Sequence, residues 1–322
     1  MGKGAEASFG AETTTSEVID GIDLSGRLAL VTGASGGLGA ETARALASVG
    51  AEVVLAVRNV AKGEGVAESI RASVDGAHIE VRELELSVPA SVRAFAKGFL
   101  AEHPSLNILI NNAGVMACPL ERTAEGWEMQ FATCHLGHFL LTCLLAPALR
   151  AGAPARVVNL SSGGHRFSPV LFDDIHFEST EYDKWVAYGQ AKTANVLFTC
   201  EFERRMQDSG VHALAVHPGV ILTELARHLD ENDIKQLMEK APKGEGLKFK
   251  PVEAGAATST WAATAPSLEG RGALYLEDCH IGELDEAEDS AGGYRGYAVD
   301  PAAAARLWEL SEEMLGERFD LG

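Results

Sequence analysis

The stretch Thr32-Gly33-Ala34-Ser35-Gly36-Gly37-Leu38-Gly39 decides the fold that this chain is expected to adopt. It follows an apolar run at residues 28–32 and precedes a helical pattern that Gly50 closes. Glycines between a strand and a helix allow a tight turn and let backbone N–H groups approach a phosphate. The segment therefore predicts a dinucleotide-binding turn, although a trio of glycines alone would be weak evidence.

Short apolar runs alternate with helical patterns through most of the chain. After the first unit, the apolar runs are residues 53–57, 79–86, 106–111, 156–160, 211–216 and 272–276. This alternation predicts a parallel sheet with helices on both faces. We expect a single doubly wound (Rossmann) α/β domain over residues 23–322, with a substrate lid near residues 225–250. A flexible extension over residues 1–22 is expected to precede it.

Composition limits the partners and the compartment. The chain has 27 basic and 46 acidic residues and a net charge of −19, which argues against nucleic acid or an anionic membrane as partner. Its five cysteines are scattered without a C-x-x-C pair, which favours free thiols in a reducing compartment. No stretch is predicted to reach the roughly 18 apolar residues of a membrane span. We expect a cytoplasmic protein, since the N-terminus has no apolar core of a signal peptide.

The glycine turn also spells G-x-S-x-G, the pattern of a hydrolase nucleophile elbow centred on Ser35. Such an elbow needs earlier strands and an upstream loop that supplies an oxyanion hole. The turn lies too close to the start of the chain for these elements to precede it. The dinucleotide-binding interpretation is therefore favoured.

The residues after the second apolar run indicate which dinucleotide fits. Folds that prefer NAD place an acid at the end of this strand, where it binds the ribose 2′-hydroxyl. Here Val57 holds that place, Arg58 follows, and Lys62 lies one helical turn later. A guanidinium binds a phosphate through two hydrogen bonds. We therefore expect NADP(H) to be favoured over NAD(H).

A second group of residues predicts proton transfer. Tyr188 and Lys192 lie four positions apart, which makes them neighbours on one helix face. A nearby ammonium favours the phenolate, so we expect Lys192 to lower the pKa of Tyr188 and make it a general acid and base. Ser162 follows the apolar run 156–160 and should hold the substrate oxygen at the carboxyl edge of the sheet. With a nicotinamide cofactor, this set predicts hydride transfer at an alcohol or carbonyl carbon.

These motifs resemble the short-chain dehydrogenase/reductase family over most of the chain. The resemblance implies that Asn112-Ala113-Gly114 line the adenine-ribose side, that Pro218-Gly219 pass under the nicotinamide, and that Glu85-Leu86 stand beside the adenine. It also implies that the Ile221 backbone meets the carboxamide and that Thr223 reaches the phosphates. The full set of expected cofactor contacts is Gly33, Ser35, Gly37, Leu38, Gly39, Arg58, Asn59, Glu85, Leu86, Asn112, Ala113, Gly114, Tyr188, Lys192, Pro218, Gly219, Ile221 and Thr223.

Finer features are similar to the retinol-dehydrogenase-like subgroup, among them Arg58-Asn59, the run at residues 135–142 and Leu307-Trp308. That similarity implies NADP(H)-linked conversion of bulky apolar alcohols and carbonyls. It also implies a homo-oligomer, because long helices such as the one predicted at residues 127–149 often pair subunits in the family.

One position departs from the family pattern. An asparagine that supports a water in the proton relay to the lysine is replaced by Cys134, and cysteine is a poor hydrogen-bonding residue. Two interpretations stay open: an active enzyme with a modified relay, or a nucleotide-binding regulatory protein with an impaired active site. Cys134, His135 and His138 do not supply the four ligands of a structural zinc site, so we predict no metal.

Overall fold

The computed structural model describes residues 9–240, 248–287 and 292–321. Within these ranges, one sheet contains β1 (Leu28–Thr32), β2 (Glu52–Val57), β3 (Ile79–Glu83), β4 (Ile108–Asn111), β5 (Ala155–Leu160), β6 (Val211–His217), β7 (Leu274–Glu277) and β8 (His280–Ile281). The strand order is β3-β2-β1-β4-β5-β6-β7-β8. Strands β1 to β7 are parallel, and β8 is antiparallel to β7. The order reverses beside β1, so the carboxyl ends of β1 and β4 flank a crevice.

The described helices are α1 (Thr15–Val18), α2 (Gly37–Ser48), α3 (Val60–Ser73), α4 (Pro89–Glu102), α5 (Met129–Phe131), α6 (Gly137–Ala151), α7 (Lys184–Met206), α8 (Glu231–Lys240), α9 (Val252–Thr264) and α10 (Pro301–Leu315). Local sequence explains several of their ends. The Asp183 side chain caps α7 by accepting from the backbone of its first turn. Asp300 caps α10, Pro301 begins it, and Gly316 ends it in a left-handed conformation.

The strands are buried because helices cover both faces of the sheet. Side chains alternate along a strand, so Leu30 of β1 packs with residues of α4, α6, α7 and α10. Its neighbours Ala29 and Val31 pack with residues of α2, α3 and α9 on the other face. Strands buried on both sides are apolar on successive residues, which is the pattern that predicted this architecture. The doubly wound fold is confirmed.

Part of the segment 1–22 is more ordered than the expected flexible extension. Thr14 and Glu17 form a reciprocal capping box at the start of α1. Thr15 and Val18 are buried, and α1 packs against α9. Burial of these side chains holds this stretch on the domain. Residues 1–8 lie outside the described residues.

The long helix predicted at residues 127–149 has three parts. A five-residue π-helix, Ala132–Leu136, joins α5 to α6. Contrary to the sequence-based expectation, the run Met129–Ala151 is long and apolar enough for a membrane span. An 18-residue window within it has a mean hydropathy of 1.5, but 83% of that window is buried inside the fold. Trp308 of α10 contacts Phe139 of this run at a ring distance of 4.8 Å. The helix on which the expected pairing of subunits rests is thus mainly a core helix.

The region expected to form a lid begins with a 3₁₀ turn, Glu224–His228, and continues into α8. Two contacts hold α8 to the start of α7: an ion pair between Lys184 and Asp233, and a 3.0 Å hydrogen bond from Trp185 Nε1 to Gln236 Oε1. Residues 241–247 of the predicted lid lie outside the described residues.

Candidate active site

The glycine turn has the shape of a dinucleotide cradle. Gly33 has a φ of +66°, and a Cβ placed on it would lie 2.8 Å from the Ala113 Cα. A Cβ on Gly39 would lie 2.5 Å from Asn112 Nδ2, so side chains at these two positions would push β4 and α2 apart. No side chain caps the N-terminus of α2, which leaves its first N–H groups for an anion. These residues fit a bound pyrophosphate.

The ends of β1 and β4 are locked together beside this cradle. Asn112 Nδ2 donates to the Thr32 carbonyl at 2.7 Å. The Thr32 hydroxyl accepts from the backbone N–H groups of Asn112 and Ala113 at 2.9 and 3.0 Å. The segment that follows β4 is therefore fixed against the glycine turn, and both line the same crevice.

The far end of the crevice carries the two predicted cations. The Asn59 side chain accepts from the Lys62 backbone N–H at 3.0 Å and so caps α3. Arg58 Nε lies 3.7 Å from Glu85 Oε2. Arg58, Lys62 and the neighbouring Glu85 all line the cavity. This end is thus built of charged groups around the start of α3.

Ser162, Tyr188 and Lys192 meet at the carboxyl end of β5. Tyr188 and Lys192 are buried one turn apart on α7, and Lys192 Nζ lies 5.7 Å from the centre of the Tyr188 ring. The ammonium donates to the Leu160 carbonyl at 3.0 Å. The Ser162 side chain interacts with the Tyr188 phenol and acts to lower its pKa. A phenol and a hydroxyl thus converge beside a fixed ammonium.

All the residues predicted as catalytic or as cofactor contacts line one continuous cavity of about 840 Å³. The family model for short chain dehydrogenases matches residues 27–234, which include the cradle and the Ser162, Tyr188 and Lys192 set. The chain belongs to the short-chain dehydrogenase/reductase family.

Relatives match this chain over nearly its whole length. It is 43% identical to retinol dehydrogenase 12 of Homo sapiens over 299 residues, covering 93% of this chain and 89% of that protein. It is 43% identical to the short-chain dehydrogenase/reductase prx1 of Penicillium rubens, covering 92% and 87%. A solved structure of an uncharacterised protein from Mycobacterium paratuberculosis is 34% identical, with a TM-score of 0.73, covering 96% of this chain and 99% of that one. The predicted retinol-dehydrogenase-like character is confirmed.

The pKa of Tyr188 in this dehydrogenase corrects one expectation. Lys192 and the Ser162 hydrogen bond do lower it, but burial of the phenol is the larger effect and raises the pKa above its usual value of 10. The prediction of a lowered Tyr188 pKa took account of the ammonium but not of the low-dielectric surroundings of the buried phenol. The phenol is therefore protonated at neutral pH.

Two histidines hold the loop that carries Ser162, a role that the sequence did not reveal. His165 Nδ1 donates to the Ser162 carbonyl at 2.7 Å, and its Nε2 accepts from the Arg295 backbone N–H at 3.2 Å. His217 Nδ1 accepts from the Gly163 backbone N–H at 3.0 Å. Burial lowers the pKa of these histidines to about 4 and about 3, so both rings are neutral. A histidine at the end of β6, just before Pro218, was the available sequence signal.

Cys134 of the dehydrogenase lies in the π-helix and is fully buried. Its thiol donates a weak 3.5 Å hydrogen bond to the Val115 carbonyl. A Cβ on Gly114 would lie 3.3 Å from the Cys134 Sγ and 3.7 Å from Lys192 Nζ, so the thiol and the ammonium both lie beside Gly114. Its backbone carbonyl accepts from His138.

The histidines weighed as metal ligands have protein partners. His135 Nε2 lies 2.8 Å from the Ser311 hydroxyl, and His138 bonds the Cys134 carbonyl and Thr32. Elsewhere in the described chain, Glu80, Glu102 and His103 lie close enough for a metal. There the Arg82 guanidinium already bonds both carboxylates, so an ion-pair network accounts for the cluster.

Proposed function

We propose that this dehydrogenase interconverts an apolar alcohol and its carbonyl with NADP(H) as cofactor. The observation that carries the proposal is the meeting of the Tyr188 phenol, the Ser162 hydroxyl and the Lys192 ammonium in the cavity that the glycine cradle also lines. Membership of the family supplies the reaction class, oxidoreduction.

In the reductive direction, Tyr188 acts as the general acid. A substrate oxygen beside Ser162 would accept one hydrogen bond from the serine hydroxyl and one from the phenol. The residues of the glycine cradle would hold the nicotinamide cofactor, whose chemistry when bound would be hydride transfer to the substrate carbon. As negative charge develops on the substrate oxygen, the phenol proton transfers to it, and the Lys192 ammonium stabilises the phenolate that remains. Oxidation runs the same proton transfer in reverse and needs the phenolate first.

The NADP(H) preference rests on charge at the far end of the cavity. Arg58 and Lys62 both line it, and the uncharged Val57 stands where an acid would repel a phosphate. A guanidinium and an ammonium at the end of the cavity away from the catalytic set suit the 2′-phosphate of NADP(H).

The substrate class is inferred from the other end of the cavity. Its walls beyond Ser162 are largely apolar, with Met116, Phe167, Trp185, Leu225 and Phe249 among them. Apolar walls with a few convergent polar groups favour an apolar ligand held by one oxygen. The relative retinol dehydrogenase 12 takes its name from a substrate of that kind.

The test is NADPH consumption by purified protein with a panel of carbonyls: a retinoid, a steroid, an aromatic ketone and a polar keto acid. We expect turnover of at least one apolar carbonyl and loss of about 10²- to 10⁴-fold in kcat for Tyr188→Phe, the usual contribution of a general acid. Tyr294→Phe, outside the cavity, is the matched control and should retain full activity. NADPH binding without turnover of any carbonyl would favour the alternative, a nucleotide-binding regulatory protein.

A further inference from the structure

A carboxylate from beyond β6 reaches the first turn of α3. Lys62 Nζ donates to the two carboxylate oxygens of Glu224 at 3.1 and 3.4 Å, across a separation of 162 residues. The two side chains are 55% and 78% exposed. Both line the cavity. This ion pair therefore lies at the exposed edge of the proposed cofactor end of the cavity.

The backbone that leads to Glu224 crosses over the glycine cradle. A Cβ on Gly255 of α9 would lie 2.5 Å from Ile221, so Ile221 packs closely on α9. A Cβ on Gly37 would lie 3.3 Å from Thr223, which places Thr223 over the start of α2. We call residues 221–224 the strap. It runs from the sheet edge across α2, and Glu224 ties its end to α3.

The two cations proposed to hold a 2′-phosphate are paired with carboxylates that differ in how firmly the rest of the protein holds them. Glu85, beside Arg58, also accepts from the Ser87 backbone and hydroxyl at 3.2 and 2.8 Å, so its own loop fixes it. Within the described ranges, Lys62 is the one side chain that bonds the Glu224 carboxylate. Glu224 can therefore leave Lys62 without breaking a second side-chain bond.

We propose that Glu224 is a specificity-determining residue: its carboxylate takes the place on Lys62 that the 2′-phosphate of NADP(H) would take. A phosphate carries about −1.5 to −2 charges at pH 7, so it would bind the ammonium more strongly than one carboxylate does. NADP(H) must displace Glu224 and then stands beside a like charge, whereas NAD(H) leaves the pair intact. This inference rests on the proposed function, since it assumes that the cradle binds a nicotinamide dinucleotide.

The test is Glu224→Gln, which keeps the shape of the side chain and removes its charge. Dissociation constants for NADPH, NADH, adenosine 2′,5′-bisphosphate and 5′-AMP would be measured by titration calorimetry at low and high salt. Exposed ion pairs are weak, so we expect the two 2′-phosphorylated ligands to bind about two- to fivefold more tightly, with NADH and 5′-AMP unchanged. The gain should shrink at high salt because the charges are exposed.

Glu231→Gln is the matched control, because it removes the same charge from an exposed residue of α8. It should leave all four constants unchanged. In a Lys62→Gln background, Glu224→Gln should have a smaller effect on the 2′-phosphorylated ligands, because the competition for the ammonium is gone and only the repulsion by the carboxylate is relieved. Equal effects on the ligands with and without a 2′-phosphate, or no effect on either group, would overturn the role of Glu224. A wild-type protein that binds neither NADPH nor NADH would instead contradict the proposed function.

Discussion

His138 Nδ1 donates a 3.0 Å hydrogen bond to the backbone carbonyl of Cys134. A carbonyl only accepts, so Nδ1 carries the proton, and Nε2 accepts from the Thr32 hydroxyl at 2.9 Å. The imidazole thereby connects the π-helix near the catalytic lysine to the strand end beside the cofactor cradle. The backbone of Cys134, more than its thiol, is tied into the site.

Cys134→Ala should therefore retain activity. The variant keeps the carbonyl and loses a buried thiol whose hydrogen bond is weak, so we expect kcat within about threefold of wild type and a stability loss of about 1 kcal/mol. Steady-state kinetics and urea unfolding measure the two effects. Cys134→Asn should not raise kcat; a clear increase would show that the family asparagine side chain, absent here, matters for the relay.

The two directions of the reaction should differ in their dependence on pH. Because the pKa of Tyr188 is raised above 10, its phenol is protonated throughout the neutral range. The reductive kcat/KM, which needs the acid form, should stay level through neutral pH and fall only in alkali. The oxidative kcat/KM, which needs the phenolate, should rise with pH, and kcat/KM reports the free enzyme. An oxidative profile already level at neutral pH would contradict the buried, protonated phenol.

Gly164→Ala should damage catalysis while leaving the fold intact. A Cβ there would lie 2.6 Å from Tyr188 Cε1 and 3.4 Å from the Ser162 Oγ, so the ring must move. A displacement near 1 Å at a reacting group costs on the order of 10²-fold in rate. Turnover and circular dichroism would be compared with Gly65→Ala, which has open space around its Cβ in α3 and should gain up to about 1 kcal/mol in stability.

The buried histidines should make the protein sensitive to acid. Burial lowers the pKa of His138 from its ordinary value of 6.5 to about 4. Between these values the unfolded chain binds a proton that the folded chain does not, so stability falls as pH drops from about 6.5 to about 4. In His138→Gln this slope should decrease by up to about 1.4 kcal/mol per pH unit. Urea unfolding across that range measures it, and exposed His78→Gln should leave the slope as in wild type.

Much of the architecture follows from sequence pattern. The bounds of β1 coincide with the predicted run at residues 28–32, because an apolar run directly before glycines marks the end of the strand. The π-helix at residues 132–136 was missed, because it interrupts one continuous helical pattern, and single-turn π segments lie inside α-helices. Strand β8 is only two residues long, too short for a recognisable alternation.

The residues of the candidate site could be predicted from the sequence, but the pKa of Tyr188 and the ion pair at the cavity edge could not. Motif spacing predicted that the cradle, Ser162, Tyr188 and Lys192 share one site, and they line one cavity. The direction of the Tyr188 pKa depends on how deeply the fold buries the ring, which spacing does not reveal. The pair between Lys62 and Glu224 joins residues far apart in sequence, and local patterns contain no signal for such a contact.

The His165 ring connects the Ser162 carbonyl to the Arg295 backbone, a residue whose side chain lines the cavity wall. Natural or laboratory selection that reshapes this wall for a new substrate therefore acts on the same imidazole that seats the serine. Substitutions near Arg295 that let the cavity bind more substrates would also alter turnover. The substrate range and the turnover rate of the enzyme are therefore expected to evolve together.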